Sequence, residues 1–378
     1  MIVYLDNQAT TPCDPRVVAA MLPFFTQRFA NAHSAEHAMG RDAADAVEAA
    51  RTEIAALIGA DPREIVFTSG ATEANNLAIK GAARYAVLQD PSRRRVITVA
   101  TEHKCVLESV ADLRAEGFDT VVLAVGADGL LDPADLQAAL AEPTVLVSIM
   151  AANNETGVLQ DWPRLAAMAH DAGALFHTDA AQALGKVAFG VGGVDLASFS
   201  AHKVYGPKGV GALYVRRRPR ARLQALFSGG GQERGMRSGT LPTPLVVGFG
   251  EACRLAATEL PAEAVRLARL RDRLLAGLQA RLPGLRVNGS LTDRLPGSLN
   301  VVLPTVTALA AMRAAPELCV STGSACSSAE VASSYVLAAM GLNPDAASRS
   351  LRLGLGRFTS AAEVDFAVEA LSTVPELV

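Results

Sequence analysis

The feature that most constrains this chain is an alternation. Between about residues 43 and 215, short apolar runs rich in β-branched residues take turns with longer segments of helical periodicity. The runs fall at 65–68, 96–100, 120–125, 145–150, 174–178, 196–200 and 211–215. Helical patterns occupy 73–88, 106–115, 132–140 and 163–171, with Asp132 placed to cap the third and Pro133 at its first position. Runs that are apolar on both faces need cover on both faces, and the intervening helices supply it. The pattern predicts an α/β protein with a mainly parallel, seven-stranded sheet. In such sheets ligands bind at the carboxyl ends of the strands. Nearly every unusual polar residue of this chain falls at such an end.

After Gly250 the pattern changes. A long helix rich in Ala, Leu and Arg is predicted over 261–282, then a strand at 298–303, a Ser/Gly-rich loop at 321–328 and terminal helices. A chain of 378 residues is long enough for two domains. The predicted division is a large domain over 15–257 and a smaller α+β domain made of 258–378 together with 1–14.

Charge and cysteine usage narrow the function classes. Net charge is −3, without a long basic run. The cluster Arg216-Arg217-Arg218 with Arg220 reads as a solvated turn after a strand, so no nucleic-acid partner is expected. No apolar stretch reaches the roughly 20 residues of a membrane span. The N-terminus lacks the basic start and apolar core of a signal peptide. Five cysteines, odd in number and without a CxxC pair, predict neither a disulfide framework nor a preformed metal site. A cytoplasmic protein is expected.

Two residues then carry the chemistry. Lys203, in Ser200-Ala201-His202-Lys203, follows one apolar strand and precedes a glycine-rich turn. Asp179, in Phe176-His177-Thr178-Asp179, closes another. A lysine and an aspartate on neighbouring strand ends are what pyridoxal phosphate requires: the amine forms a Schiff base and the carboxylate pairs with the pyridinium nitrogen. Thr68-Ser69-Gly70-Ala71-Thr72-Glu73 is either a phosphate-binding turn at a helix start, using Ala71 and Thr72, or an ordinary βα turn capped by Thr72. His103 is placed either to stack on the ring and move protons or to serve structure. Asn154 is a candidate for the ring hydroxyl or the substrate, Gln182 for the ring oxygen, and Ser200 and His202 for the phosphate. Arg352 alternates with apolar residues as on a half-buried strand, and a buried guanidinium needs either a substrate carboxylate or a structural partner. Arg357 reads as structural. Cys326, among small polar neighbours, is a candidate nucleophile. Cys13, Cys105, Cys253 and Cys319 read as packing. The residues alone lead to a pyridoxal phosphate enzyme acting on an amino acid, with a candidate thiol nucleophile.

Together these motifs resemble the cysteine desulfurases, in the class V aminotransferase group of fold-type I pyridoxal phosphate enzymes. The similarity runs from Tyr4-Leu5-Asp6-Asn7-Gln8 to Arg357-Phe358-Thr359. Its most specific pieces are Thr68 to Glu73, Asn153-Asn154-Glu155-Thr156-Gly157, Ser200-Ala201-His202-Lys203 and Gly323-Ser324-Ala325-Cys326. The resemblance implies catalytic roles for Lys203, Cys326 and His103, and a substrate site at Asn154 and Arg352. It also implies that Cys326 takes sulfur from L-cysteine as a persulfide, releasing L-alanine and passing sulfur to an acceptor such as an iron–sulfur scaffold protein. In that role the persulfide makes at most transient contact with cluster iron. Thr240 is implied to reach the cofactor phosphate of the other subunit, hence a homodimer with shared sites. The Cys326 loop resembles that of the housekeeping branch. The chain ends about twenty residues after Phe358, where housekeeping relatives carry a longer tail, so scaffold docking stays open. A selenocysteine lyase or an aminotransferase on the same fold is the alternative.

Overall fold

The structure is a computed structural model that describes residues 2–323 and 334–374. Strand β1 (Val3–Tyr4) opens the chain. The main sheet is built from β2 (Ile65–Thr68), β3 (Arg95–Val99), β4 (Asp119–Leu123), β5 (Thr144–Ser148), β6 (Leu175–Asp179), β7 (Leu196–Ser200) and β8 (Gly211–Val215). Their spatial order is β2-β8-β7-β6-β5-β3-β4. Within this sheet only β8 runs against its neighbours. Every residue of β5, β7 and β8 is buried, which explains why these segments are apolar on both faces.

Each apolar run predicted as a strand is one, and the helices between them lie where periodicity placed them. They span Ala71–Gln89, Lys104–Ala115, Pro133–Ala139 and Trp162–Asp171. Asp132 caps its helix, accepting a hydrogen bond from the Ala134 amide, with Pro133 at the first position.

The long helix differs from expectation. It spans Thr243–Arg281, with Pro261 inside it rather than at its start. A proline removes one helical hydrogen bond, but packing at both ends outweighs that loss. The first half buries Val246, Phe249 and Cys253 in the core around the main sheet. The second half buries Leu267, Leu270, Leu274 and Leu278 in a separate core. That second core also holds Val3 and Leu5 from the chain's start and Leu351 and Leu353 from near its end.

Around this second core lie β9 (Arg286–Val287), β10 (Ser298–Val302), β11 (Leu318–Cys319) and β12 (Ser350–Gly354). Strand β10 is flanked antiparallel by β9 and β12, and β1 pairs parallel with β11. Just past β1, Asp6 bridges to Gly354. A Cβ at Gly354 would come 3.1 Å from the Asn7 amide nitrogen, so glycine there lets the N-terminal segment lie close against β12. This contact brings residues 6–9 and Arg352 to the carboxyl ends of the main-sheet strands.

Candidate active site

A cavity of about 540 Å³ opens at those strand ends. One end of it is the turn after β2. The helix Ala71–Gln89 begins there on Gly70, with no side-chain cap. Ser69, Gly70, Ala71 and Thr72 all face the cavity, so the positive end of the helix dipole does too. Thr72 is therefore not the N-cap, as the ordinary-turn reading would have it, but the second helical residue. The turn is braced from behind: Glu73 Oε2 accepts from the Ser69 amide at 2.7 Å, and Glu73 is ion-paired with Arg237 at 2.8 Å. A side chain at Gly211 on β8 would come within 2.7 Å of Gly70, so glycine there lets β8 pass under the turn.

At the other end, Asp179 closes β6 and is 6% exposed. Its Oδ2 accepts from Asn75 Nδ2 at 2.7 Å and its Oδ1 from the Ala181 amide at 2.9 Å. Two donors hold the carboxylate oriented, with its edge on the cavity. Asn75 was not among the residues expected from sequence. The signal was present: an asparagine on the buried face of a helix, beside Ala74, Leu77 and Ala78, must find a partner.

His103 resolves both ways. It caps the helix Lys104–Ala115, its Nδ1 accepting from the Cys105 amide, and it also lines the cavity. Cys105, expected to be packing, lies in the cavity wall, with its Sγ 3.0 Å from His103 Nδ1 and 3.2 Å from Asn75 Nδ2. Below them Glu102 is fully buried. Burial, and then the neighbouring Asp179 carboxylate, push its carboxyl well above the usual range.

Lys203 follows β7 directly. Its Nζ donates to the Gln8 carbonyl at 2.5 Å and to the Ala9 carbonyl at 2.7 Å. Gln182 Nε2 donates to the same Gln8 carbonyl at 2.8 Å. Ser200 and His202 line the same cavity as Lys203. Burial, with Lys203 and Lys208 nearby, lowers His202 to about 4, so its imidazole is neutral at neutral pH.

Arg352 forms the opposite wall. It is both the ion pair and the cavity residue that sequence left as alternatives. Nη2 donates to Asp6 Oδ1 at 2.7 Å and Nη1 to the Asn154 carbonyl at 3.0 Å, while the side chain faces the cavity. Among the described residues, Arg352 Nε and Asn154 Oδ1 are buried atoms without a hydrogen-bond partner, and both residues line the cavity. The tight turn itself is made by Asn153, whose Oδ1 accepts from the Glu155 and Thr156 amides. Arg357 is structural as expected, paired with Asp14 and Glu263 and stacked on Tyr205.

Two expected residues are not in this set. Thr240 is exposed and does not line the cavity. Cys326 lies outside the described residues. Gly323, three positions before it, does line the cavity. On the far side of that stretch, Ser334 donates to Glu155 Oε2 at 2.5 Å.

The residues present fit pyridoxal phosphate. One cavity holds a lysine amine, a buried oriented carboxylate, an uncapped helix start for a phosphate, and unpartnered polar atoms on Asn154 and Arg352. The comparisons agree. The family model for class-V aminotransferases matches residues 3–366. The chain is 54% identical over 368 residues to cysteine desulfurase IscS of Anaeromyxobacter dehalogenans (strain 2CP-C), covering 97% of this chain and 90% of that protein. It is 49% identical over 369 residues to the human cysteine desulfurase, covering 97% of this chain and 80% of that one. A solved structure of a NifS-like protein superposes with a TM-score of 0.92 at 35% identity, over 100% of both chains. The chain therefore belongs to the class-V aminotransferase family and, within it, to the pyridoxal phosphate-dependent cysteine desulfurases.

Proposed function

We propose that the cavity between the main-sheet strand ends and β12 is where this desulfurase takes sulfur from L-cysteine, with Cys326 as the acceptor thiol. One observation carries the assignment of roles: Lys203, Asp179, His103 and Arg352, from four separate elements, face a single cavity. Bound pyridoxal phosphate supplies an electron sink that draws electrons away from the substrate Cα. Asp179 keeps the ring nitrogen protonated, and Asn75 and the Ala181 amide keep Asp179 in place. Ala71, Thr72, Ser200 and the neutral His202 hold the phosphate. Gln182 and Asn154 offer hydrogen bonds to the ring substituents. Lys203 Nζ is the attachment amine, and it moves the Cα proton.

The substrate carboxylate is held by Arg352, whose unpartnered Nε meets the need of a bound anion. Because His103 Nδ1 accepts from the Cys105 amide, its ring proton belongs on Nε2, where the imidazole serves as a proton donor toward the cavity. Cys326 stands three residues beyond Gly323, a reach of about 10 Å along the chain. As a thiolate it attacks the substrate sulfur and keeps it as a persulfide, and alanine leaves.

The reading extends to organisation. The two separate hydrophobic cores support a large domain over 15–257 and a small domain formed by 1–14 and 258–378. The exposed Thr240 supports a homodimer in which it completes the phosphate site of the partner subunit. The sulfur passes to an acceptor, an iron–sulfur scaffold or another thiolation system, in the cytoplasm. No helix among the described residues is long and apolar enough to cross a membrane.

The test follows alanine and protein-bound persulfide together after adding L-cysteine to the holoenzyme and to Cys326→Ala. Equal yields in the native enzyme, both lost in a variant that still binds the cofactor, establish the assignment. Persulfide formed at the native rate in Cys326→Ala overturns it.

A further inference from the structure

Behind the cavity floor stands a lysine for which the proposed reaction has no role. Residues 180–187 form a helical turn, with the Leu184 amide donating to the Ala180 carbonyl and the Val187 amide to the Ala183 carbonyl. Side chains four apart on such a turn lie side by side, and here they are Gln182 and Lys186. Lys186 Nζ donates to Gln182 Oε1 at 2.7 Å. The turn is pressed against the segment that carries Lys203. Gly185 has φ +67°, and a Cβ there would fall 2.4 Å from Val204 Cγ2, next in sequence to Lys203.

The consequence is directional. An ammonium only donates, so it commits the oxygen of the Gln182 amide to itself. The NH2 group must then point the other way, and Nε2 donates to the Gln8 carbonyl at 2.8 Å. That carbonyl also accepts from Lys203 Nζ, at 2.5 Å. Lys186 thus donates to Gln182, and Gln182 and Lys203 both donate into the one Gln8 carbonyl, which links the two lysines through three hydrogen bonds. Lys186 and Gln8 also border a cavity of about 20 Å³, room for roughly one water, closed on the far side by Tyr205 and Glu263.

Resting on the proposed roles of Gln182 and Lys203, we infer that Lys186 is a positioning residue: it locks the Gln182 amide with its NH2 toward the cofactor cavity and, through the shared Gln8 carbonyl, sets where Lys203 sits. Burial, then the Lys203 and Arg352 charges, lower the Lys186 ammonium to about 7, while Glu263 supports it; charged or neutral, the amine donates to Gln182 Oε1. A methionine of similar shape would leave the Gln182 oxygen without its donor and the amide held by the Gln8 carbonyl alone.

The experiment compares three holoenzymes, Lys186→Met, Lys186→Arg and Gln182→Ala, with the native enzyme. The readouts are the absorbance maximum of the bound cofactor, the pH midpoint of that band, and kcat separately from KM. In Lys186→Met the band or its midpoint is expected to move, and kcat to fall up to about tenfold, the weight of one hydrogen bond, with KM unchanged. Lys186→Arg, which keeps a donor, is expected to restore both. If Lys186→Met does not fold, Lys186→Gln serves, since it also removes the charge. Native band, midpoint and kcat in Lys186→Met, with Gln182→Ala shifted, overturn the role of Lys186 alone. Native values in both variants overturn the role of Gln182 as well.

Discussion

The cavity has a floor and a wall, and the chain builds them differently. The floor is the set of strand ends β2, β6 and β7 with the turns that follow them. Its groups, Ala71, Asp179, Ser200 and Lys203, stand within a few residues of the strand that presents them. The wall joins Asp6, Asn154 and Arg352, and its central ion pair spans 346 positions of sequence. The floor is fixed as soon as the sheet forms. The wall exists only when the second core brings the start of the chain against β12. Under the proposed roles, the shared sheet supplies the chemistry and the junction of the two cores supplies the grip on the substrate.

The sharpest way to break this comparison is to remove the floor's amine. Lys203→Ala is expected to lower kcat by roughly 10²- to 10⁴-fold, the usual weight of a positioned acid–base group. Far-UV circular dichroism should stay native, because the Gln8 and Ala9 carbonyls that Lys203 meets lie outside the helices and strands. Retention of most of the native turnover would mean that the floor does not carry the chemistry. A smaller effect is expected from the wall. Arg352→Lys keeps the charge but loses the planar fork, and KM for cysteine should rise roughly ten- to a hundredfold with kcat changed less. A fall in kcat at constant KM would move Arg352 from substrate grip to chemistry and erase the distinction.

The smallest effect at neutral pH comes from beneath the floor. His177, in the middle of β6, is fully buried, with Ser148 Oγ at 2.8 Å from one ring nitrogen and Ser198 Oγ at 3.0 Å from the other. Burial lowers it to about 3. A depressed value means that the folded state binds the proton less readily than the unfolded chain. Its stabilising contribution is therefore complete above about pH 6.5 and is lost as the pH falls toward 3. At about 1.4 kcal/mol per pKa unit the contribution is on the order of a few kcal/mol. His202, lowered to about 4, acts in the same sense. Melting temperatures measured at pH 7 and pH 5 should fall more steeply for the native protein than for His177→Gln. Parallel slopes would show that the sheet beneath the floor does not sense acid.

Much of the floor was legible in the sequence because strand periodicity, turn glycines and polar residues at strand ends are local signals. Lys203, Asp179, His103 and the turn at Ser69 to Thr72 were all recognisable from a few neighbours each. Four features were not. Asn75 lies within an unremarkable helix, and its role depends on β6 passing beside that helix face. Cys105 reads as packing until the helix that it opens is seen to start at the cavity. The long helix was cut at Pro261 because proline is a local stop signal, whereas the two cores that hold both halves together are a global one. The dual standing of Arg352, at once ion-paired and cavity-facing, was likewise undecidable from a strand pattern that shows only half-burial.

By itself, the sequence determined the alternating α/β order, the strand ends at which polar groups would collect, and the lysine–aspartate pair suited to pyridoxal phosphate. These follow from periodicity and short-range sterics, which act over a few residues. The tertiary structure alone decided which distant groups meet: Asp6 with Arg352, Asn75 with Asp179, and Lys186 with Gln8 through Gln182. Those pairings arise because buried polar atoms must find partners wherever packing brings them, and no local pattern records where that will be.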